Sequence, residues 1–445
     1  MAECIRRKRS KVKRKKRVEV GFDGGRTTSD GGFILLSDVD LGEGLTESIS
    51  ACVRDKRDKR YSRHDLLELI RQRLYQISAG YEDCNDSDSL RSDPALKTAV
   101  GRCPESASDL ASQPTFSRLE NAMDGWDVKR LHKLLVSHYI KTRRKAPKRI
   151  VLDIDPTDDE AHGKQQQIRF HGFYGSYIYL PLLVYDGESG DLLAAVLRRG
   201  NVHASRGAVG ILRRIIGQLR EKWPDVEIVV RADAGFAVPQ VYEFCEKEDV
   251  GYIIGLISND RLRALNEEML REAVSEYHET GTKVRHVSDS HYQAKSWSHA
   301  RRVIMKAEAM PQGTNQRFLV TNLCGSALEL HRFYTGRGQV ENYIKDLKNA
   351  LKGDRLSCHE FLANQFRLLL HAFAYVLMHS MRRLLAGTEL GRAQFDTLRL
   401  KLLKVGGRVK ESVRRIRFML SENYPYKVYW RLLANQLGGR FVLRC

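Results

Sequence analysis

The first clear periodicity along the chain is helical: Leu66, Leu67, Ile70, Leu74 and Ile77 recur at helical spacing, and Arg71 and Arg73 fall off that stripe. Residues 40–145 accordingly read as a set of helices. Gln113-Pro114-Thr115-Phe116-Ser117-Arg118-Leu119-Glu120 opens one of them, with Pro early and short polar side chains around the first turn. From Lys148 the period drops to two. Ile150, Leu152 and Ile154 alternate with Val151, Asp153 and Asp155, which puts both aspartates on one face of a strand. Extended stretches over 172–185 and 192–198, joined by the turn Asp186-Gly187-Glu188-Ser189-Gly190, complete a three-stranded meander. A helix over 206–222, a strand over 226–232, a helix over 239–247 and a strand over 251–256 follow. Beyond residue 258 the alternation fails, and strand-like runs at 301–304 and 317–321 predict a β-rich insertion. A helix over 338–352, a long apolar helix over 360–385 and a basic helical tail come next. Near the start, the glycine-rich stretch from Phe22 to Gly32 predicts a tight hairpin.

Length and charge sharpen this picture. A chain of 445 residues exceeds one ordinary domain. The pattern divides it into a basic arm (1–19), an N-terminal helical domain (20–146), an α/β core in two parts (147–257 and 331–386), the insertion (258–330) and a C-terminal helical region (387–445). Lys and Arg number 75 against 55 Asp and Glu, a formal charge of +20 that favours a polyanionic partner. Arg6 to Arg17 is nearly all Lys and Arg; such a block repels itself, buries nothing and reads as a disordered phosphate-binding arm. The apolar run Leu368–Met378 is interrupted by His371 and is too short to cross a bilayer, so it reads as a buried helix with no membrane role. Eight scattered cysteines include no Cys-x-x-Cys pair, which argues against a zinc site and fits reduced thiols in the cytoplasm. The charged N-terminal stretch has no apolar segment after it, against a secretory signal.

Three separated segments offer a carboxylate where side chains leave the core. Asp155 ends the first strand, and Asp233 ends the strand over 226–232, where Gly235 permits a sharp exit. Aspartate often ends a strand merely by turning the backbone, so neither is decisive alone. Tyr334, Arg337, Glu341 and Lys348 stand at offsets that confine them to an arc of about 60° on an ideal helix, beside an apolar stripe of Val340, Ile344, Leu347 and Leu351. One face enters the core while its polar neighbour borders a cleft; an exposed Arg337–Glu341 pair is the plain alternative. Three carboxylates suit two-metal phosphoryl transfer, in which divalent ions roughly 3.5–4 Å apart activate a hydroxyl or water and stabilise the leaving oxygen. Carboxylates supply the hard oxygen ligands that Mg²⁺ prefers. Arg337 and Lys348 can neutralise phosphate as it gains charge, and Tyr334 can donate to a phosphate oxygen.

At these residues the chain resembles the bacterial insertion-sequence transposases of the DDE type. Tyr334, Arg337, Glu341 and Lys348 reproduce without a gap the signature Tyr-x2-Arg-x3-Glu-x6-Lys of one branch. Arg231-Ala232-Asp233-Ala234-Gly235-Phe236 is similar to that branch's second-aspartate segment, and Leu152-Asp153-Ile154-Asp155-Pro156-Thr157 to its first. The resemblance runs from about Val20 to Leu385. It implies that Asp155, Asp233 and Glu341 bind two Mg²⁺ ions, with Mn²⁺ as a substitute; Asp155 is chosen because the family places its aspartate two before a Thr, and Asp153 on the same face is the rival. The order of strands and helices is that of a ribonuclease H-like core, an analogy that these residues strengthen. The resemblance also implies the β insertion, in which the Trp297 indole can stack on a base flipped from the transposon end.

The expectation is therefore an α/β, ribonuclease H-like DNA transposase. Its partners are double-stranded DNA, at terminal inverted repeats and at a target, and a second copy bridging two ends. Excision and insertion would proceed by hydrolysis and then 3′-hydroxyl attack, near the nucleoid. Ser117 and Arg118 are expected to face a major groove. His162, Gly163, Gln165–Gln167 and His203 read as structural neighbours of the site. The rivals are a retired, DNA-binding derivative or repressor, which has no reason to keep the acidic set, and a metal-dependent nuclease without strand transfer.

Overall fold

The computed structural model describes residues 20–161 and 163–438; the basic arm and His162 lie outside the described residues. The centre is an eight-stranded mixed sheet. Strands β1 (Arg149–Pro156), β2 (Leu182–Asp186) and β3 (Leu192–Val196) form the antiparallel meander. Strands β4 (Glu227–Ala232) and β5 (Gly251–Leu256) run parallel to β1. Strands β6 (Val284–Tyr292), β7 (Arg301–Met310) and β8 (Gly313–Thr321) follow in antiparallel succession. Across the sheet the order is β6-β7-β8-β5-β4-β1-β2-β3.

The meander differs from its expected form. The stretch over 172–185 is two strands, because Pro181 lacks the N–H a continuous ladder needs. Ser176–Tyr179 pairs instead with Arg169–His171 and Asp159–Glu160 in a separate small sheet. The segment 258–330 holds helices as well as strands. It begins with helices Asp260–Leu265 and Glu267–Thr280, and its three strands extend the central sheet through the pairing of Phe318–Thr321 with Ile253–Leu256. That pairing satisfies an edge of β5 that would otherwise expose unpaired amides.

Alternation along β1 sends Ile150, Leu152 and Ile154 into a layer with helix Ala208–Lys222, through Leu212, Ile215 and Leu219. The opposite face carries Leu183 and Tyr185 against the long helix Phe361–Leu384. This helix is long and apolar enough to span a membrane, yet 89% of its most apolar window is buried inside the protein. The N-terminal helices, among them Phe33–Glu43, Leu66–Ser78 and Gln113–Asn121, close over it, so Phe33, Leu74 and Phe116 share one core with Phe366 and Phe373.

Arg73, off its helix's apolar stripe, is nonetheless fully buried: it donates to the carbonyls of Tyr81 and Glu82 and faces Glu120, which Arg367 also grips at 2.6 Å. Two local expectations are corrected. Residues 22–32 form no hairpin. Thr27–Thr28 pairs with strand Gly407–Ser412, itself paired with Arg415–Leu420, so the C-terminal region carries a β-hairpin as well as helix Lys427–Gln436. Gly32 is required by that contact, since a Cβ there would lie 2.3 Å from the Leu402 carbonyl oxygen.

Candidate active site

The register of two parallel strands builds the site. Asp153 of β1 is aligned with Arg231 of β4, and Ile154 with Ala232. Side chains alternate along each strand, so Asp155 and Asp233, two residues beyond the first pair, emerge on that same face where the strands end. The inner pair is neutral: Arg231 donates through Nε and Nη2 to the two Asp153 oxygens at 2.6 Å each. The outer pair is two like charges.

Arg337 supplies the missing cation. One of its nitrogens, Nη2, lies 2.9 Å from Asp155 Oδ2 and 3.8 Å from Asp233 Oδ2. Burial, joined by repulsion from Asp233 and Glu341 and opposed by Arg337, pushes the Asp155 carboxyl up to about 7. Asp233 caps the short turn Ala234–Phe236, accepting from Gly235 N–H through Oδ1 at 2.9 Å, and this leaves Oδ2 toward the guanidinium.

The helical part of the site comes in two pieces. Tyr334 ends helix Ala327–Thr335, whose cap is a reciprocal pair between Ser326 and Glu329. Arg337 and Glu341 belong to the next helix, Gly338–Lys345, Arg337 at its N-cap and Glu341 in its first turn. Arg231 fastens the join: its Nη1 donates to Phe333 O at 2.6 Å. Tyr334 is buried against Gly255 of β5, where an added Cβ would come 2.9 Å from the phenol oxygen. The helix then widens into a π turn over Asp346–Ala350, so the ideal spacing does not carry through to Lys348. Lys348 Nζ instead donates to Asp158 O at 2.7 Å and to Asp158 Oδ1 at 3.1 Å. A cleft of about 320 Å³ opens between these elements, lined by Thr157, Asp158, Tyr174, Glu341, Lys345 and Lys348.

The structure thus brings Asp155, Asp233, Tyr334, Arg337 and Glu341 into one neighbourhood, with Lys348 at its rim. It separates Asp153, which is fully buried and committed to Arg231. It also removes Trp297 from the surface: the indole is packed edge-on against Tyr242 and Tyr292 and capped by Arg301, so it offers no stacking face. Arg118 is exposed and Ser117 half-exposed on helix Gln113–Asn121, remote in sequence from the carboxylates. Gln165 and Gln166 bond the turn before the long helix, through Leu356 O, His359 O and Phe361 N–H, and His203 faces Ser205. Sequence reasoning missed Asp158 and Asp159. Asp159 is buried with neither carboxyl oxygen hydrogen-bonded, and burial together with Asp354 pushes it well above the usual carboxylate range. The signal available was the density of acids from Asp153 to Glu160.

Among the described residues no three His, Cys, Asp or Glu side chains are arranged to hold a metal ion. Arg337 stands in the counter-cation position between two of the acids. The donor types nonetheless suit a hard divalent cation: Asp155 and Asp233 offer carboxylate oxygens to one guanidinium nitrogen, and the Glu341 charge acts on Asp155.

Two strand-end aspartates around one guanidinium, with a glutamate in the first turn of the helix that guanidinium caps, define a carboxylate-centred site on a mixed α/β fold. Residues 10–439 match the family described as Transposase DDE domain group 1, and the chain belongs to that family. A comparison with curated proteins gives no match. Among solved structures, the piggyBac transposase synaptic complex with hairpin DNA aligns at a TM-score of 0.41 and 10% identity, over 85% of this chain and 81% of that one.

Proposed function

We propose that this chain is a DNA transposase of the insertion-sequence kind, which cuts element ends and joins their 3′-hydroxyls to a target at one site. The observation that carries the reading is the convergence of Asp155 and Asp233 on a single Arg337 nitrogen, with Glu341 one helical turn away. Family membership supports the same chemistry. The order β3-β2-β1-β4-β5, with β2 alone antiparallel to β1, supports a ribonuclease H-like core whose sheet the insertion extends.

Asp155, Asp233 and Glu341 would hold two Mg²⁺ ions, or Mn²⁺ in their place; bound there, such ions supply Lewis-acid charge for phosphoryl transfer. The protein's own groups position the DNA. Arg337 and Lys348 bring fixed positive charge to a phosphate that gains negative charge, and the Tyr334 phenol is a donor at the same wall. Arg231 holds the helix join in place through Asp153 and Phe333 O. Ser117 and Arg118 form the proposed groove-reading edge of the N-terminal helices, and two copies would bridge paired ends. The +20 charge supports DNA as the partner.

The test is incubation with DNA flanking the chain's own gene plus Mg²⁺, with cut ends mapped. Wild type is expected to nick at element ends, and Asp233→Asn or Glu341→Gln to bind without nicking. Nicking by both variants at the wild-type rate contradicts the reading. End binding by a wild type that never nicks identifies a retired DNA-binding derivative instead.

A further inference from the structure

Beside the carboxylate cleft stands a hairpin rich in exposed rings. Strands Arg169–His171 and Ser176–Tyr179 pair around the tip Gly172-Phe173-Tyr174-Gly175. Gly175 closes it, donating to His171 O at 2.9 Å from the left-handed region, with φ +66°. The base is fixed: Ile178 and Tyr179 are fully buried, and the Tyr179 hydroxyl donates to Gln166 O at 2.6 Å. Gly200 sits so tightly beneath that a Cβ there would come 2.1 Å from Ile178 O and 2.6 Å from Arg169 O.

Above this base, Phe170 is 53%, Phe173 85%, Tyr174 40% and Tyr177 58% exposed. Phe170 meets Tyr177 across the ladder at 5.7 Å, and Phe173 meets Tyr174 edge-on at 5.0 Å. Four clustered rings left in water on a rigid base mark a surface made for a partner. Two observations choose that partner. Tyr174 lines the same cleft as Glu341 and Lys348, so the rings begin where the carboxylates end. Lys345 and Lys348 line that cleft as well, so positive charge stands beside the Tyr174 ring. Rings stack on bases of any identity while neighbouring cations follow the phosphates, which is how single-stranded DNA is held. Trp297, the ring expected for that task, is buried.

We infer that this hairpin is the platform on which unpaired bases stack as a DNA end is opened at the site. The inference rests on the DNA-cutting reading above, and its test does not use cutting.

The full chain is titrated, without divalent ions, against a short blunt duplex and against the same duplex with a 3′ single-stranded tail carrying 2-aminopurine. Wild type is expected to prefer the tailed DNA and to quench the 2-aminopurine. Phe173→Ala/Tyr177→Ala should lose about tenfold or more in affinity for the tail, with blunt binding unchanged. Phe173→Trp/Tyr177→Phe should retain the preference. Phe173→Leu/Tyr177→Leu should lose it, since Leu is apolar but cannot stack. The platform is overturned if wild type binds both DNAs alike, if the Leu variant keeps the preference, or if blunt binding falls equally. It is also overturned if sedimentation shows the Ala variant changing only its oligomeric state, which would make the rings a contact between copies. A preference retained by a wild type that never nicks DNA leaves the platform standing and sinks the catalytic reading alone.

Discussion

Arg231 holds both oxygens of Asp153, and two residues further along the same strands Asp155 meets Asp233 with no such partner in the sheet. One register therefore makes a buried ion pair and, two residues on, the pair of acids proposed to do the chemistry. Removing one side of a buried pair strands the other charge at roughly 3–5 kcal/mol. Asp153→Asn is expected to lower stability by that order in urea melts, because Arg231 loses its counter-charge and the helix join it carries. Asp155→Asn relieves repulsion with Asp233, and its metal-free stability should equal or exceed wild type. A larger loss for Asp155→Asn than for Asp153→Asn would reverse the assignment of the two acids.

Arg337 is the only cation within ion-pair distance of Asp155 and Asp233 among the described residues. Arg337→Ala is expected to reduce strand cleavage by about two orders of magnitude or more, in line with removal of one charge-stabilising donor. Binding of blunt DNA should change little. Arg337→Lys should recover only part of the rate, because a lysine presents a point charge where the guanidinium spans two carboxylates. Full cleavage by Arg337→Ala would reduce the residue to a surface pair.

Much of this site was legible in the sequence, and the reasons are local. Period-two alternation put Asp155 at a strand end, and the Glu341 segment carried its apolar and polar stripes side by side. The same rules failed where a residue's fate depends on distant chain. Arg73 lies off its helix's apolar stripe, yet Glu120 and several carbonyls draw it into the core. The C-terminal hairpin hides among arginines, and its neighbour Thr27–Thr28 lies at the other end of the sequence. The π turn that redirects Lys348 is anchored by Asp346, which accepts from Arg382 at 2.7 Å and from Phe395 N–H at 3.0 Å. Helical arithmetic cannot see such anchors.

Trp297 packs inside a ring cluster rather than against DNA. Trp297→Ala should cost about 3–5 kcal/mol of stability, as large core truncations do. Trp297→Phe, milder in volume, should leave tailed-DNA affinity at the wild-type value in the same fluorescence titration. A specific loss of tail binding by a stably folded Trp297→Phe would return the indole to the DNA surface.

Acid sensitivity follows from buried histidines. His371 is fully buried with Nδ1 against Leu351 O at 2.7 Å, and burial with the nearby Arg73 charge pushes it down to about 3. His132, buried near Arg214, is likewise pushed to about 3. The unfolded chain binds these protons at its ordinary histidine pKa near 6.5 while the folded chain does not, so stability is full above that value and falls as pH drops toward 3. Each contributes a loss of roughly 2 kcal/mol by pH 5. Urea melts between pH 7 and 5 should show this slope, and His132→Gln should remove roughly 2 kcal/mol of the loss. A stability that is level across that window contradicts neutral, buried imidazoles.

Asp159 carries a related cost. Its buried carboxyl has no hydrogen-bond partner and is pushed upward, so the ionised form is disfavoured in the fold. Asp159→Asn is expected to stabilise the chain at pH 7 by roughly 1–2 kcal/mol, and by less as pH falls and the wild-type acid takes up its proton. A destabilised Asp159→Asn at neutral pH would mean that its charge is used.

The most direct measurement is Mn²⁺ binding followed by electron paramagnetic resonance, with the full chain bound to DNA from its own gene's flanks. Wild type should take up two tightly held ions, and Asp155→Asn, Asp233→Asn and Glu341→Gln should each lose at least one while still binding the DNA. Unchanged Mn²⁺ uptake in all three variants would contradict a metal site built from these carboxylates.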